Sequence, residues 1–255
     1  MRLKVVFGED GRKVRFDRDY RRYFISFIKR AFTISGVYDE IYSRKMSRPF
    51  TFSIFLGKQF TICEDHIEAT TPMSLIFSTG DYSVFSNFYN GVVGMSNGSI
   101  KIGENEIQIS RISLLRPVSI SSDSVFFRTV GICVLTDPDA NPDDFDSWFC
   151  VPEDSKFQEV VLKRTRQRYK HIYGHEFSGD ISVEVKRSKT LYVEMGEEGE
   201  KFFIKGFKGV FRISSSPHVL QFIYDYGFGV RTGQGFGLVD VLDIQKPDEF
   251  SLYDT

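Results

Sequence analysis

The sequence predicts an α+β protein of two tandem ferredoxin-like domains with antiparallel sheets, and three observations predict it. Each half repeats the order β-α-β-β-α-β, the split βαβ arrangement. Apolar residues recur with a helical period in the segments between alternating, β-rich runs. A serine-rich stretch, residues 119–124, separates the halves, giving domains 1–120 and 121–255. The duplication rests on element order alone, because no residue-level repeat joins the halves.

In the first half, residues 3–7 read as a strand. Asp17 is placed to cap a helix whose apolar residues are Tyr20, Tyr23, Phe24, Phe27, Ile28, Ala31 and Phe32, closed by Ser35-Gly36. An irregular stretch, 37–48, precedes strands at 50–56 and 73–78. A helix over 81–93 carries Phe85, Phe88, Tyr89 and Val92 on one side, and a strand over 107–115 ends near Pro117. In the second half, 125–135 reads as a strand and the acidic, proline-containing 137–146 as a loop. A helix follows over 154–174, with Phe157, Val160, Val161 and Ile172 on its apolar side. Strands are expected at 181–185, 191–195, 201–205 and 209–213. Ser216-Pro217 opens a short helix to Tyr226, and 238–242 is the last strand.

The 255 residues include 26 Phe, so a large aromatic core is expected. Cys63, Cys133 and Cys150 are odd in number and form no CxxC pair, which fits a reducing, cytoplasmic setting and neither a disulfide framework nor a zinc site. No apolar run approaches the roughly 18 residues of a membrane span. The formal net charge of -1 hides a segregation: residues 1–60 hold 14 Lys/Arg against 6 Asp/Glu, 156–189 hold 9 against 4, and 126–155 hold one Arg against 7 acids. Such sorting suits a polyanion binder with a positive face.

Five glycines, Gly227, Gly229, Gly233, Gly235 and Gly237, crowd into eleven residues just before the last strand, with Arg231 among them. A dinucleotide fingerprint starting at Gly227 would need glycine where Thr232 stands, and no G-K-[ST] follows to make a P-loop. Gly227-Phe228-Gly229, five residues, then Gly235-Phe236-Gly237 resembles the C-terminal glycine-rich loop of the CRISPR-associated RAMP proteins. In particular it resembles the sixth Cas family, the endoribonucleases that cut CRISPR repeat RNA into guide RNAs. "FFIKGFKGVFRISSSPHVLQFIYDYGFGVRTGQGFGLV" is similar to that family's hairpin, helix, loop and strand, "RPFTFSIFLG" to an early strand, and "VFFRTVGICVL" to the first strand of its second domain.

The resemblance implies a metal-independent, cofactor-free ribonuclease in which the ribose 2′-OH attacks the adjacent phosphate, leaving a 2′,3′-cyclic phosphate and a 5′-OH. Many members carry a histidine just after the first helix; here the interval "SGVYDEIYSRKMSRP" has none. It offers Tyr38, Tyr42 and Lys45 as candidate catalytic residues, with Arg44 and Arg48 as phosphate ligands. A phenol serves as a base only where cations lower its pKa. The glycines and Arg231 are the main candidate RNA contacts, since glycine lets backbone N–H groups approach phosphate. Lys163, Arg166 and Lys170 share a helical face with Tyr169 and Tyr173 nearby, and Arg187 and Lys189 extend the basic path. His66 is expected to be exposed, His171 and His175 lack a metal-pair geometry, and His218 opens the last helix. The expected partner is CRISPR repeat RNA. Subunits of an effector complex and a second copy of the chain are further expected partners, and a non-catalytic RNA-binding RAMP subunit is the alternative function.

Overall fold

Alternation drives the first strand, β1 (Arg2–Phe7), which buries Leu3, Val5 and Phe7 on one face. The computed structural model describes residues 1–9, 11–43, 47–196 and 200–242. After β2 (Lys13–Asp17), helix α1 (Arg21–Ile34) buries Phe24, Phe27, Ile28, Ala31 and Phe32. The predicted cap is corrected here: Asp17 accepts from the side chains of Arg22 and Tyr23, and Tyr20 occupies the N-cap position with no side-chain cap bond. Part of the irregular stretch is a short helix, α2 (Tyr38–Tyr42). Then come β3 (Thr51–Phe55), β4 (Phe60–Ile62), β5 (His66–Thr70) and β6 (Met73–Ser78). Helix α3 (Tyr82–Gly94) is capped by Asp81, whose carboxylate accepts from Val84 N at 3.0 Å. Strands β7 (Ser99–Ile102) and β8 (Asn105–Leu114) complete this half.

The main sheet is ordered β3-β6-β1-β8-β7 with antiparallel pairing, Val5 lying opposite both Leu75 and Ile112. Without the added β7, this is the strand order of a βαββαβ unit; β2, β5 and β4 form a separate small sheet. Helices α1 and α3 cross so closely that a Cβ at Gly91 would lie 2.0 Å from the Ala31 carbonyl oxygen. Phe77 stacks on Phe88 at 4.0 Å beneath that crossing.

The second half runs β9 (Ser124–Thr129), β10 (Leu135–Thr136), α4 (Phe145–Trp148), β11 (Phe149–Cys150), α5 (Phe157–Tyr173), β12 (Ser182–Met195), β13 (Phe202–Ser214), α6 (Pro217–Tyr226) and β14 (Val239–Val241). Its main sheet is β12-β13-β9-β14, again antiparallel, and β10 pairs with β11 apart from it. Two strand expectations are corrected. The predicted 125–135 strand breaks after Thr129, where the chain turns toward the first half; a Cβ at Gly131 would lie 2.8 Å from Ser53 Oγ. The four short strands over 181–213 are two long ones, with a register shift between Val185 and Arg187. Gly209 is therefore interior to a strand and does not begin one. It sits inside β13, where a Cβ would lie 2.3 Å from the Arg187 carbonyl oxygen. This merging leaves the second half with the four main-sheet strands that its βαββαβ order requires.

Buried hydrogen bonds join the halves. Arg2 of β1 donates to the carbonyls of Tyr224 (2.9 Å) and Val239 (2.5 Å) and to Asp240 Oδ1 (3.2 Å), its guanidinium lying 3.6 Å over the Tyr224 ring. Ser78 Oγ donates to the Asp225 carbonyl at 2.9 Å. No helix among the described residues is long and apolar enough to cross a membrane.

Candidate functional site

The glycine-rich loop leaves α6 at Gly227, folds back on itself and enters β14. Phe228 N donates to the Gly237 carbonyl (2.7 Å), Gly237 N to Ile132 (2.9 Å) and Val230 N to Val134 (2.7 Å). These bonds draw backbones together until only glycine fits. A Cβ at Gly229, where φ is +89°, would lie 2.2 Å from the Val134 carbonyl oxygen. Gly227 and Gly237 face each other's strands of the loop, Gly235 lies against the Phe52 ring, and Gly233 against the Arg48 side chain. Four of the five, all but Gly233, are buried. Contacts within the protein thus account for the glycines, and the outward part of the loop is the single turn Thr232–Gln234 with the Arg231 that precedes it, held at φ +58°.

Behind the loop stands a residue that the sequence reading passed over. Arg168 of α5 is 4% exposed, and its Nη1 donates to the Gly227 and Gly229 carbonyls at 2.7 and 2.8 Å. Its Nη2 donates to the Tyr226 carbonyl (2.8 Å) and to Thr232 Oγ1 (3.3 Å). Burial alone pulls its guanidinium down to about 10, which still leaves it charged at neutral pH. A signal for it existed. The apolar stripe from Val161 to Ile172 runs through position 168, so an arginine there occupies a core position.

In front of the loop lies the candidate catalytic stretch, some 190 residues away in sequence. A Cβ at Gly233 would lie 2.6 Å from Arg48 Cγ. Arg48 Nη1 donates to the Ile41 carbonyl at 3.1 Å, and its guanidinium lies 4.6 Å over the Tyr42 ring. Tyr42 in turn stacks on Tyr38 at 5.0 Å and 14°. Loop, Arg48, Tyr42 and Tyr38 thus form one contiguous row. The Tyr42 hydroxyl is buried without a hydrogen-bond partner among the described residues, and burial pushes its phenol far above the usual range. That direction is opposite to the one a base needs at neutral pH. Arg44 and Lys45 lie outside the described residues.

Three more cations border this region. Arg21, at the start of α1, is buried with its guanidinium 4.9 Å over the Phe236 ring of the loop. Lys189 and Lys208 are direct cross-strand partners in the β12–β13 hairpin, a like-charge pairing that costs stability. Loss of water around its ammonium, then the charges of Arg21 and Lys189, hold Lys208 below the ordinary lysine value, although much of its side chain is exposed. Arg231 is also held down by burial, and its Nη1 donates to Gln234 Oε1 at 3.1 Å. Arg187 stands at the register shift of β12, beside this cluster in sequence.

The basic face of α5 has a different environment. Lys163 pairs with Asp139 (2.5 Å) and Glu159 (2.6 Å), Arg166 with Asp180 (3.5 Å) and Lys170 with Glu176 (2.9 Å). The acidic loop that the sequence sets apart from the basic block folds back onto it. Of the aromatics expected there, Tyr169 is buried and Tyr173 is exposed. His66, expected to be exposed, is partly covered between Asp65 and Glu68, while His218 is exposed.

A family model described as CRISPR associated protein Cas6, C-terminal, matches residues 115–241. A CRISPR-associated endoribonuclease-like protein, Cas6nc, of Pyrococcus horikoshii is 27% identical over 197 residues, covering 76% of this chain and 80% of that protein. A structure described as characterising a Cas6-related gene from Pyrococcus furiosus aligns with a TM-score of 0.79 at 22% identity, covering 96% of this chain and 99% of that one. A RAMP protein described as binding different RNA substrates aligns at 0.78 and 23%, covering 95% and 100%. Two antiparallel sheets in βαββαβ order, a glycine-rich loop closing the second and these likenesses agree: residues 115–241 carry the C-terminal part of the Cas6 family of CRISPR-associated proteins, and the chain as a whole has the fold of its Cas6-related neighbours.

Proposed function

We propose that this protein binds the repeat RNA of CRISPR precursor transcripts and cleaves it into guide RNAs without a metal. The observation that carries the proposal is the row from Gly233 through Arg48 to Tyr42 and Tyr38, which sets the outward turn of the glycine-rich loop in one half (121–255) against a polar, cationic stretch of the other (1–120). In the reaction, the 2′ oxygen attacks the neighbouring phosphorus in line and the P–O5′ bond breaks. The 2′-OH proton passes to a base, O5′ takes a proton from an acid, and a 2′,3′-cyclic phosphate and a 5′-OH result. Arg48 and Arg231 stabilise the charge that builds on the phosphate oxygens. Tyr38 is the proton-transfer group, and Tyr42 acts by holding Tyr38 and Arg48 in place. The outward turn of the glycine-rich loop and the Lys189, Lys208 and Arg187 cluster bind the RNA backbone.

The test is a cleavage assay in EDTA with the labelled repeat RNA of the host, beside a copy carrying a 2′-deoxy sugar at the cut position. The expected result is cleavage of the first alone, with a cyclic phosphate end, and its loss in Lys45→Ala and Tyr38→Phe. Tight binding without cleavage assigns the protein to a non-catalytic RNA-binding role. Cleavage that EDTA abolishes overturns the metal-free mechanism.

A further inference from the structure

Arg168 is a buried charge without a counter-ion among the described residues. It is 4% exposed, forms no ion pair with any carboxylate there, and its Nε is buried without a hydrogen-bond partner. All four of its hydrogen-bond acceptors are uncharged and belong to residues 226–232. Its remaining polar contact is the Phe222 ring, 5.7 Å from the guanidinium carbon. A buried charge without a counter-ion is strongly unfavourable, and an apolar residue of similar volume commonly serves the fold better. The neighbouring Arg164 shows the cheaper arrangement, half-buried and bonded to Thr136.

We infer that Arg168 is a positioning residue with a second purpose: its unbalanced charge is completed by the phosphate backbone of the bound RNA, on the opposite side of the glycine-rich loop. The inference rests on the repeat-RNA reading above. The geometry gives it two parts. The fork orders the loop, because it grips the carbonyls of three peptides. Two of these direct their own N–H groups to Gly237 and Val134, so polarising one end strengthens the other. The bond to Thr232 Oγ1 extends that order to the outward turn. The charge, bonded to that turn through Thr232, then acts on an anion held at the turn through a low-dielectric interior.

Two experiments with the full-length chain separate charge from scaffolding. Repeat-RNA affinity is measured against salt for wild type, Arg168→Lys and Arg168→Met. Both variants weaken binding at 150 mM salt, by roughly tenfold or more, but only Arg168→Met flattens the slope of log K against log salt, by up to about one phosphate equivalent. Equal slopes in all three overturn the charge role and leave Arg168 a structural residue. Wild-type protein that binds no repeat RNA overturns the functional reading and this inference together. The second experiment needs no RNA and covers the case in which Arg168→Met does not fold. Thr232→Asp places a carboxylate where Oγ1 now meets Nη2. If the charge is unbalanced in the free protein, this variant melts higher than wild type. If it melts lower, as an added buried carboxylate otherwise would, the counter-ion is already present and the inference fails.

Discussion

The outer face of α5 and the seam around the glycine-rich loop hold similar numbers of cations and differ in everything else. On α5, Lys163, Arg166 and Lys170 each meet a carboxylate supplied by a nearby loop. At the seam, Arg168 is buried against carbonyls and a ring, the partly covered Arg231 donates to an amide, and Lys189 faces Lys208 across two strands. Exposed pairs such as those on α5 contribute little to stability, and they leave little net charge for a ligand. The seam carries a cost in the free protein, which the proposed RNA backbone would relieve. What the difference teaches is that charge counted along the chain is not charge available to a partner; the acids brought in by folding decide.

The contrast breaks most visibly at the loop itself. Gly229→Ala forces a Cβ against the Val134 carbonyl at a positive φ, with no flexible side chain to yield. It is expected to destabilise the protein by roughly 2–4 kcal/mol, read from urea midpoints. Gly233→Ala, at an ordinary φ, meets the Cγ and Cβ of Arg48 instead of backbone, and should cost less, about 1–2 kcal/mol, while weakening RNA binding. Equal losses of stability would mean that the loop is not anchored as described. Next in size is the pair of charge reversals. Lys208→Glu is expected to weaken repeat-RNA binding by about tenfold or more at moderate salt, and Lys163→Glu by less than about twofold. If Lys163→Glu matches Lys208→Glu, the ion pairs on α5 open for RNA and the contrast between the two faces is false.

Much of this was legible in the sequence. The βαββαβ order, the α5 stripe and the glycine loop all depend on local spacing, and local spacing survives folding. The misplaced features involve partners far away in the chain. The strands 201–205 and 209–213 read as separate because the constraint on Gly209, the Arg187 carbonyl, lies on another strand. Lys163 reads as free because Asp139 is 24 residues away. Arg168 reads as one more basic residue in "KRTRQRYK", although the apolar period already placed it inward. The loop glycines suggest phosphate, and their contacts show that the protein's own backbone needs them first. In the small sheet β2-β5-β4 only β4 leaves no signal, since Phe60 to Ile62 are all exposed, whereas β2 and β5 alternate, with Val14, Phe16, Ile67 and Ala69 inward.

The smallest expected effect concerns the far end of the β12–β13 hairpin, where the seam takes an acid instead of a cation. Asp19 is buried; its Oδ2 accepts from Gly196 N at 3.0 Å, and its Oδ1 has no partner among the described residues. Burial raises its carboxyl above the ordinary value, against the pull of the Gly196 bond and the Arg21 and Arg22 charges. The sign then follows from linkage. A raised acid pKa means that the folded state holds the proton more tightly, so this group's contribution to stability falls as pH rises from the unfolded value near 3.8 through the folded one. Asp19→Asn keeps an oxygen for Gly196 and removes the charge. Its stability relative to wild type should therefore improve from pH 4 to pH 7, by a fraction of a kcal/mol to about 1 kcal/mol, in parallel urea titrations. A difference that stays flat or declines over that range would mean that Arg21 and Arg22 outweigh burial at Asp19. The hairpin tip would then be held by a compensated charge, and the unbalanced cations at the loop would stand as a local feature of that site instead of a general property of the seam.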